Sequence, residues 1–191
     1  MAQLQVVSAG GVATVTITNP PRGYMDTATV QELDAVTHEL ENAPDVRAVV
    51  FTGGVPGAFI RHYSVRELEA LARRLRTSGF TVDPAAAVPE RDIDRVFHRL
   101  ETMAKPAIAA MNGFAMGGGF EFSLACDIRV TEEGSHLIGL PEVKVGILPG
   151  AGGTQRLARL IGSARALEFI LRGRTVSPAE ALGLGLVHEV A

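Results

Sequence analysis

Residues 111–130 read MNGFAMGGGFEFSLACDIRV, and residues 140–162 read LPEVKVGILPGAGGTQRLARLIG. Three consecutive glycines, Gly117-Gly118-Gly119, are costly inside a helix, because glycine gives up more backbone freedom on folding than any other residue. The run therefore needs a reason. One is close packing of backbones. The other is an anion site: a strand ends near Asn112, the chain turns, and a helix opens with unpaired N–H groups facing outward. Such amides, reinforced by the helix dipole, can hold an oxygen that gains negative charge. Glu121 lies one turn after Gly118, within reach of a group bound at that helix end. It sits in the apolar stretch FEFSLA, where a carboxylate is costly to bury unless it is paired or does chemistry. Taken singly, Glu121 reads equally well as a structural acid paired with an arginine, and Glu142 as an exposed loop glutamate after Pro141. Taken together beside the glycine run, they read better as a catalytic pair. No G-K-[ST] follows the glycines, so they do not form a Walker loop. The turn at Asn19–Gly23 lacks the G-x-G-x-x-G of a dinucleotide fold.

Upstream, strand-like and helix-like stretches alternate. Leu4–Ser8 and the period-2 stretch Val12–Thr18 read as strands. Asp26 is placed to cap a helix running to about Asn42, with Val30, Leu33, Thr37 and Leu40 on one face. Arg47–Thr52 has the near-continuous apolar character of a strand buried on both faces. Ser64 and Glu67 have capping-box spacing, so a helix should follow Tyr63 and fade near Ser78-Gly79. Residues 92–103 resume a helix, and 106–111 form a further buried strand. Downstream, Asp127–Thr131 and Leu137–Gly139 read as short strands, 146–153 as loop, and Thr154–Ile161 and Ala164–Leu171 as helices. Ser177-Pro178-Ala179-Glu180 starts a last helix. This order predicts an α/β fold in a single domain over 1–191, with residues 72–90 as a candidate mobile lid or insertion.

Composition excludes several classes. The chain has 191 residues, 20% of them charged, and a formal net charge of -3. Nothing in this balance suggests a nucleic-acid partner, and no apolar run is long enough to span a bilayer. The start, Met1-Ala2-Gln3-Leu4-Gln5, lacks the pattern of a secretory signal. The single cysteine, Cys126, reads as a buried structural thiol, and a reducing cytoplasm is the expected setting. The five histidines are scattered singly, so no metal site is expected.

The two quoted stretches, together with GRTVSPAEALGLGLVHEV at residues 173–190, resemble the core signature of the enoyl-CoA hydratase/isomerase, or crotonase, superfamily. The resemblance covers essentially the whole chain. It implies a crotonase-like spiral of β-β-α units, here lacking most of the usual C-terminal helices, and assembly as a homotrimer or hexamer. It also implies a lyase acting on acyl-CoA thioesters, an enoyl-CoA hydratase, with no separate cofactor because coenzyme A enters as part of the substrate. Position by position, the oxyanion-binding backbone amides fall on Gly118 and near Tyr63, and the two hydratase carboxylates on Glu121 and Glu142. Gly117 and His62 are expected to contact substrate, and Arg22, by its place before the first helix, is a candidate contact for a CoA phosphate or else a solvated loop charge.

Two departures from the family stand out. The first oxyanion loop usually resembles A-G-A-D but reads Ile60-Arg61-His62-Tyr63-Ser64 here, which places His62 and Tyr63 at the acyl pocket. His62 is then either an additional acid/base or a loop histidine that packs. The chain also stops soon after the usual GLV motif. Alternatives are a 3,2-enoyl-CoA isomerase, another crotonase-type lyase or hydrolase, and a non-enzymatic acyl-CoA-binding or interaction protein.

Overall fold

The computed structural model describes residues 2–81, 83, 85–87 and 89–191. Strands β1 (Leu4–Ala9) and β2 (Val12–Ile17) form an antiparallel pair, and helix α1 (Thr27–Asn42) follows. Asp26 caps α1 by accepting from the Thr29 N–H at 2.9 Å, and the helix buries the predicted face of Val30, Leu33, Thr37 and Leu40. Next come β3 (Ala48–Gly53), β4 (Gly57–Ile60), α2 (Val65–Thr77) and α3 (Asp92–Thr102). The third unit is β5 (Ala107–Met111), β6 (Gly113–Met116) and α4 (Gly118–Ala125). The fourth contains β7 (Ile128–Thr131), β8 (Ile138–Gly139), a 3-10 turn at Glu142–Val145, α5 (Gly153–Ile161) and α6 (Ser163–Leu171). The chain closes with β9 (Thr175–Val176), α7 (Pro178–Gly183) and β10 (Glu189–Val190).

These β-β-α units build two sheets. One runs in the order β1-β2-β3-β5-β7-β10 and the other β4-β6-β8-β9. In each middle unit the first strand joins the larger sheet and the second joins the smaller, with parallel pairing of β3 to β5 and of β4 to β6. Asn112 makes one of these corners. Its amide donates to the Gly53 carbonyl at 2.7 Å and accepts from the Gly53 N–H at 2.9 Å, tying the end of β3 to the β5–β6 bend.

Helix α4 is wholly buried. Phe122 meets Phe51 and Phe97 edge-on, with ring centroids 5.0 and 5.6 Å apart, a favourable geometry for aromatic pairs. This packing fixes the helix in rotation and so decides where Gly118 and Glu121 face.

Several expectations need correction. Strand β6 lies where the chain was expected to turn straight into a helix after Asn112, and β4 lies in a stretch to which no element was assigned. β3 alternates fully and partly buried residues rather than burying both faces equally. Only half of the expected capping box forms at α2. Ser64 accepts from the Glu67 N–H, but the Glu67 carboxylate turns to the Thr27 N–H and hydroxyl and to the Tyr63 hydroxyl. Of the segment 72–90 read as a lid, residues 72–77 belong to α2; Val82, Pro84 and Val88 lie outside the described residues.

Candidate active site

Gly117 and Gly119 explain the glycine run by different means. Gly117 has φ +53°, a left-handed conformation that side chains disfavour; a Cβ there would also lie 3.0 Å from Glu142 Oε1. Gly119 packs on β4, where a Cβ would lie 2.8 Å from the Ile60 carbonyl carbon and closer still to its oxygen. Gly118, between them, starts α4 beside Tyr63; its Cβ position lies 3.4 Å from the Tyr63 backbone nitrogen. The Gly117 N–H is spent on the Gly139 carbonyl at 2.9 Å. Among the described residues, the N–H groups of Gly118 and Tyr63 donate to no protein acceptor. Both residues line one cavity of about 710 Å³.

The backbone around Tyr63 is held by Met25, whose N–H donates to the His62 carbonyl at 3.0 Å and whose carbonyl accepts from Ser64 at 2.7 Å. This short parallel bridge leaves the Tyr63 N–H outside the ladder. The Tyr63 hydroxyl bonds to Glu67 at 3.0 Å and lies 3.2 Å from the Thr27 hydroxyl, so its polar end is occupied by neighbouring helices.

Both predicted carboxylates line the same cavity. Glu121 shares a helix face with Gly118 by its three-residue spacing and is 3% exposed. Its Oε1 accepts from the Ala151 and Gly153 N–H groups, each at 2.8 Å. Burial pushes its carboxyl above the ordinary range, while those two amides and the charges of Arg156 and Arg91 pull the other way. Glu142 opens the 3-10 turn after Pro141 and is 8% exposed. Among the described residues, its Oε2 has no hydrogen-bond partner. Burial raises its carboxyl to about 7, with its own backbone amide opposing and the nearby Glu121 adding to the rise. A carboxyl balanced near neutrality can both take and give a proton.

His62 lines this cavity and a neighbouring one of about 620 Å³. Its ring stacks on Tyr24 at 4.2 Å, and its Nδ1 lies 2.6 Å from the Tyr63 carbonyl oxygen. A carbonyl only accepts, so Nδ1 is the donor in this contact. Arg22 is not brought to the carboxylates; it lines the neighbouring cavity and donates to the Tyr24 hydroxyl at 3.3 Å. Cys126 is buried, and burial pushes its thiol well above its ordinary value, which leaves it inert. Asp127 is structural, accepting from the Ala107 N–H at 2.8 Å.

Sequence reasoning missed the loop that holds Glu121. The amides of Ala151 and Gly153 come from Gly150-Ala151-Gly152-Gly153, and a second glycine-rich run near a buried acid was the available signal. Arg91, another cavity residue that was not singled out, donates to the Gly150 carbonyl at 2.6 Å.

Residues 8–191 match the enoyl-CoA hydratase/isomerase family. The chain belongs to that family. Among relatives, it is 38% identical over 186 residues to the short-chain-enoyl-CoA hydratase of Clostridium acetobutylicum, covering 95% of this chain and 66% of that protein. It is 36% identical over 183 residues to the fatty acid oxidation complex subunit alpha of Idiomarina loihiensis, covering 94% of this chain and 25% of that one. The crystal structure of an enoyl-CoA hydratase from Bacillus anthracis superposes with a TM-score of 0.84 at 34% identity, spanning all of this chain and 70% of the other. The crotonase fold expected from sequence is thus present over the full chain. The chain spans about two thirds of the length of the Clostridium hydratase and a quarter of the Idiomarina subunit.

Proposed function

We propose that this chain carries the active site of an enoyl-CoA hydratase, a lyase that adds water to a 2-enoyl-CoA thioester. The observation that carries this reading is the convergence of two buried carboxyls, Glu121 and Glu142, on a cavity that also receives the free N–H groups of Tyr63 and Gly118. As water attacks C3, negative charge moves onto the thioester oxygen and an enolate forms. Two amides fixed by the fold stabilise that charge, a donor of this kind being worth about 3 kcal/mol in the transition state. Glu142 is the main acid/base, removing the proton from water and supplying one to C2 on the same face. Glu121, held by the Ala151 and Gly153 amides, orients and activates the water. The pair titrates as a coupled unit.

The cavity's apolar wall, with Val65, Leu68 and Leu71 from α2 and Ile147 and Leu148 from the loop before α5, suits an acyl chain. Arg22 offers a cation for a CoA phosphate in the neighbouring cavity, while His62 lines both cavities and Gly117 lines the one that holds the carboxylates. Coenzyme A arrives with the substrate, and the reaction as drawn uses no other cofactor. Assembly as a homotrimer or hexamer in the cytoplasm belongs to the same reading.

The test is loss of the conjugated absorbance of crotonyl-CoA in the presence of the protein. Glu121→Gln is expected to lower that rate by about two orders of magnitude or more. If Glu121→Gln keeps the wild-type rate of double-bond migration in a 3-enoyl-CoA while hydration is absent from both proteins, the reaction is isomerisation through Glu142. Binding of acyl-CoA without turnover across a panel of thioesters would leave only a binding role.

A further inference from the structure

We infer that Arg91 is a positioning residue for Glu121, acting through the single peptide unit that joins Gly150 to Ala151. The Arg91 guanidinium donates to the Gly150 carbonyl at 2.6 Å. That carbonyl and the Ala151 N–H are the two ends of one rigid amide plane, and the Ala151 N–H donates to Glu121 Oε1 at 2.8 Å. Cation, carbonyl, N–H and carboxylate therefore stand in series. Each bond polarises the next in the same sense, so the arrangement favours the ionised form of Glu121.

Arg91 is itself anchored. Its Nε and Nη2 reach the Asp94 carboxylate at 2.8 and 2.6 Å, at the start of α3. A second arginine holds the same loop differently. Arg156 donates to the Ala151 carbonyl at 2.8 Å and is paired with Glu101. The amide plane it holds ends at the Gly152 N–H, which is not a partner of Glu121, so Arg156 steadies the loop without belonging to the series. The Arg91 side chain is 54% exposed, and water screens its direct attraction to Glu121. The shared peptide is what gives it leverage. The charged groups facing Glu121 are Arg91 from the α3 side, Arg156 from α5 and Glu142 from the 3-10 turn; Asp94 and Glu101 offset the two arginines, and Asp92 and Lys144 line the same cavity.

The inference deepens the hydratase reading and rests on it for the role of Glu121, yet its test does not need turnover. Carboxyl-13C-glutamate NMR titration in a Glu142→Gln background isolates Glu121, with Glu121→Gln identifying its resonance. Adding Arg91→Met is expected to raise the Glu121 midpoint by about half a unit or more. Arg91→Gln, which keeps an N–H donor for Gly150 but no charge, is expected to give a smaller rise. With Glu142 intact, the acidic limb of the pH profile for crotonyl-CoA turnover should move upward in Arg91→Met. If Arg91→Met does not fold, the Arg91→Gln titration decides alone. An unchanged Glu121 midpoint in the folded variants overturns the inference. Absence of hydration by the wild type would defeat the hydratase reading and leave this titration interpretable.

Discussion

Glu142→Gln is expected to lower hydration of crotonyl-CoA by about two to four orders of magnitude while making the folded chain more stable at pH 8. The first effect follows from losing the group that moves protons to and from the reacting carbons. A tenfold loss or less would count against that role. The second follows from the burial of Glu142 and the unpartnered Oε2. Its carboxyl is raised from 4.5 to about 7 in the folded protein, so between those values the folded chain keeps a proton that the unfolded chain has released. Stability therefore falls as pH rises through this window. Above it the ionised Glu142 costs roughly 3 kcal/mol. Glutamine removes the titration, less whatever its own buried amide costs. Urea unfolding at pH 4.5 and pH 8 should show the variant gaining on the wild type only at the higher pH. A gain independent of pH would mean that Glu142 does not titrate as a buried acid.

The second large effect is structural. Gly119→Ala places a methyl group against the Ile60 carbonyl. This neighbour is backbone, paired into the second sheet, and it cannot rotate away. Helix α4 can yield only at its N-terminus, because Phe122 further along packs among Phe51, Phe59 and Phe97. The expected cost is about 3 kcal/mol, at the upper end for overpacking. Any relief comes from withdrawing the α4 N-terminus from β4, which would also separate the Gly118 and Tyr63 amides. Turnover per folded molecule should fall along with the melting temperature. A variant with wild-type stability and turnover would mean that the glycine is dispensable at this contact.

Much of this was legible in the sequence where local chemistry and periodicity agreed. Asp26 with Val30, Leu33, Thr37 and Leu40 announces α1 almost to the residue, because a cap and an apolar stripe specify a helix without tertiary help. The Gly118–Glu121–Glu142 constellation was legible by motif, and the structure brings all three to one cavity. Strands β4 and β6 were hidden for a physical reason. Each has four residues and begins at a glycine that reads as a break; pairing with each other, not local propensity, makes them strands. Arg91 was hidden because its importance lies in a hydrogen bond to a carbonyl 59 residues away. The partial exposure of His62, between two cavities and stacked on Tyr24, likewise depends on a contact no pattern encodes.

The bridge between Met25 and Tyr63 has a consequence for how such a protein can diversify. In the proposed reaction the Tyr63 contribution is made by the main chain, and the main chain is tethered by Met25 through bonds that do not depend on side-chain identity. Arg61, His62 and Tyr63 can therefore vary while the means of stabilising the enolate is kept unchanged. Recognition and charge stabilisation are written on the same short loop in separate alphabets, one of side chains and one of peptide groups. A library randomised at positions 61–63 would sample new thioesters from a starting point that already has the costly half of the catalyst in place.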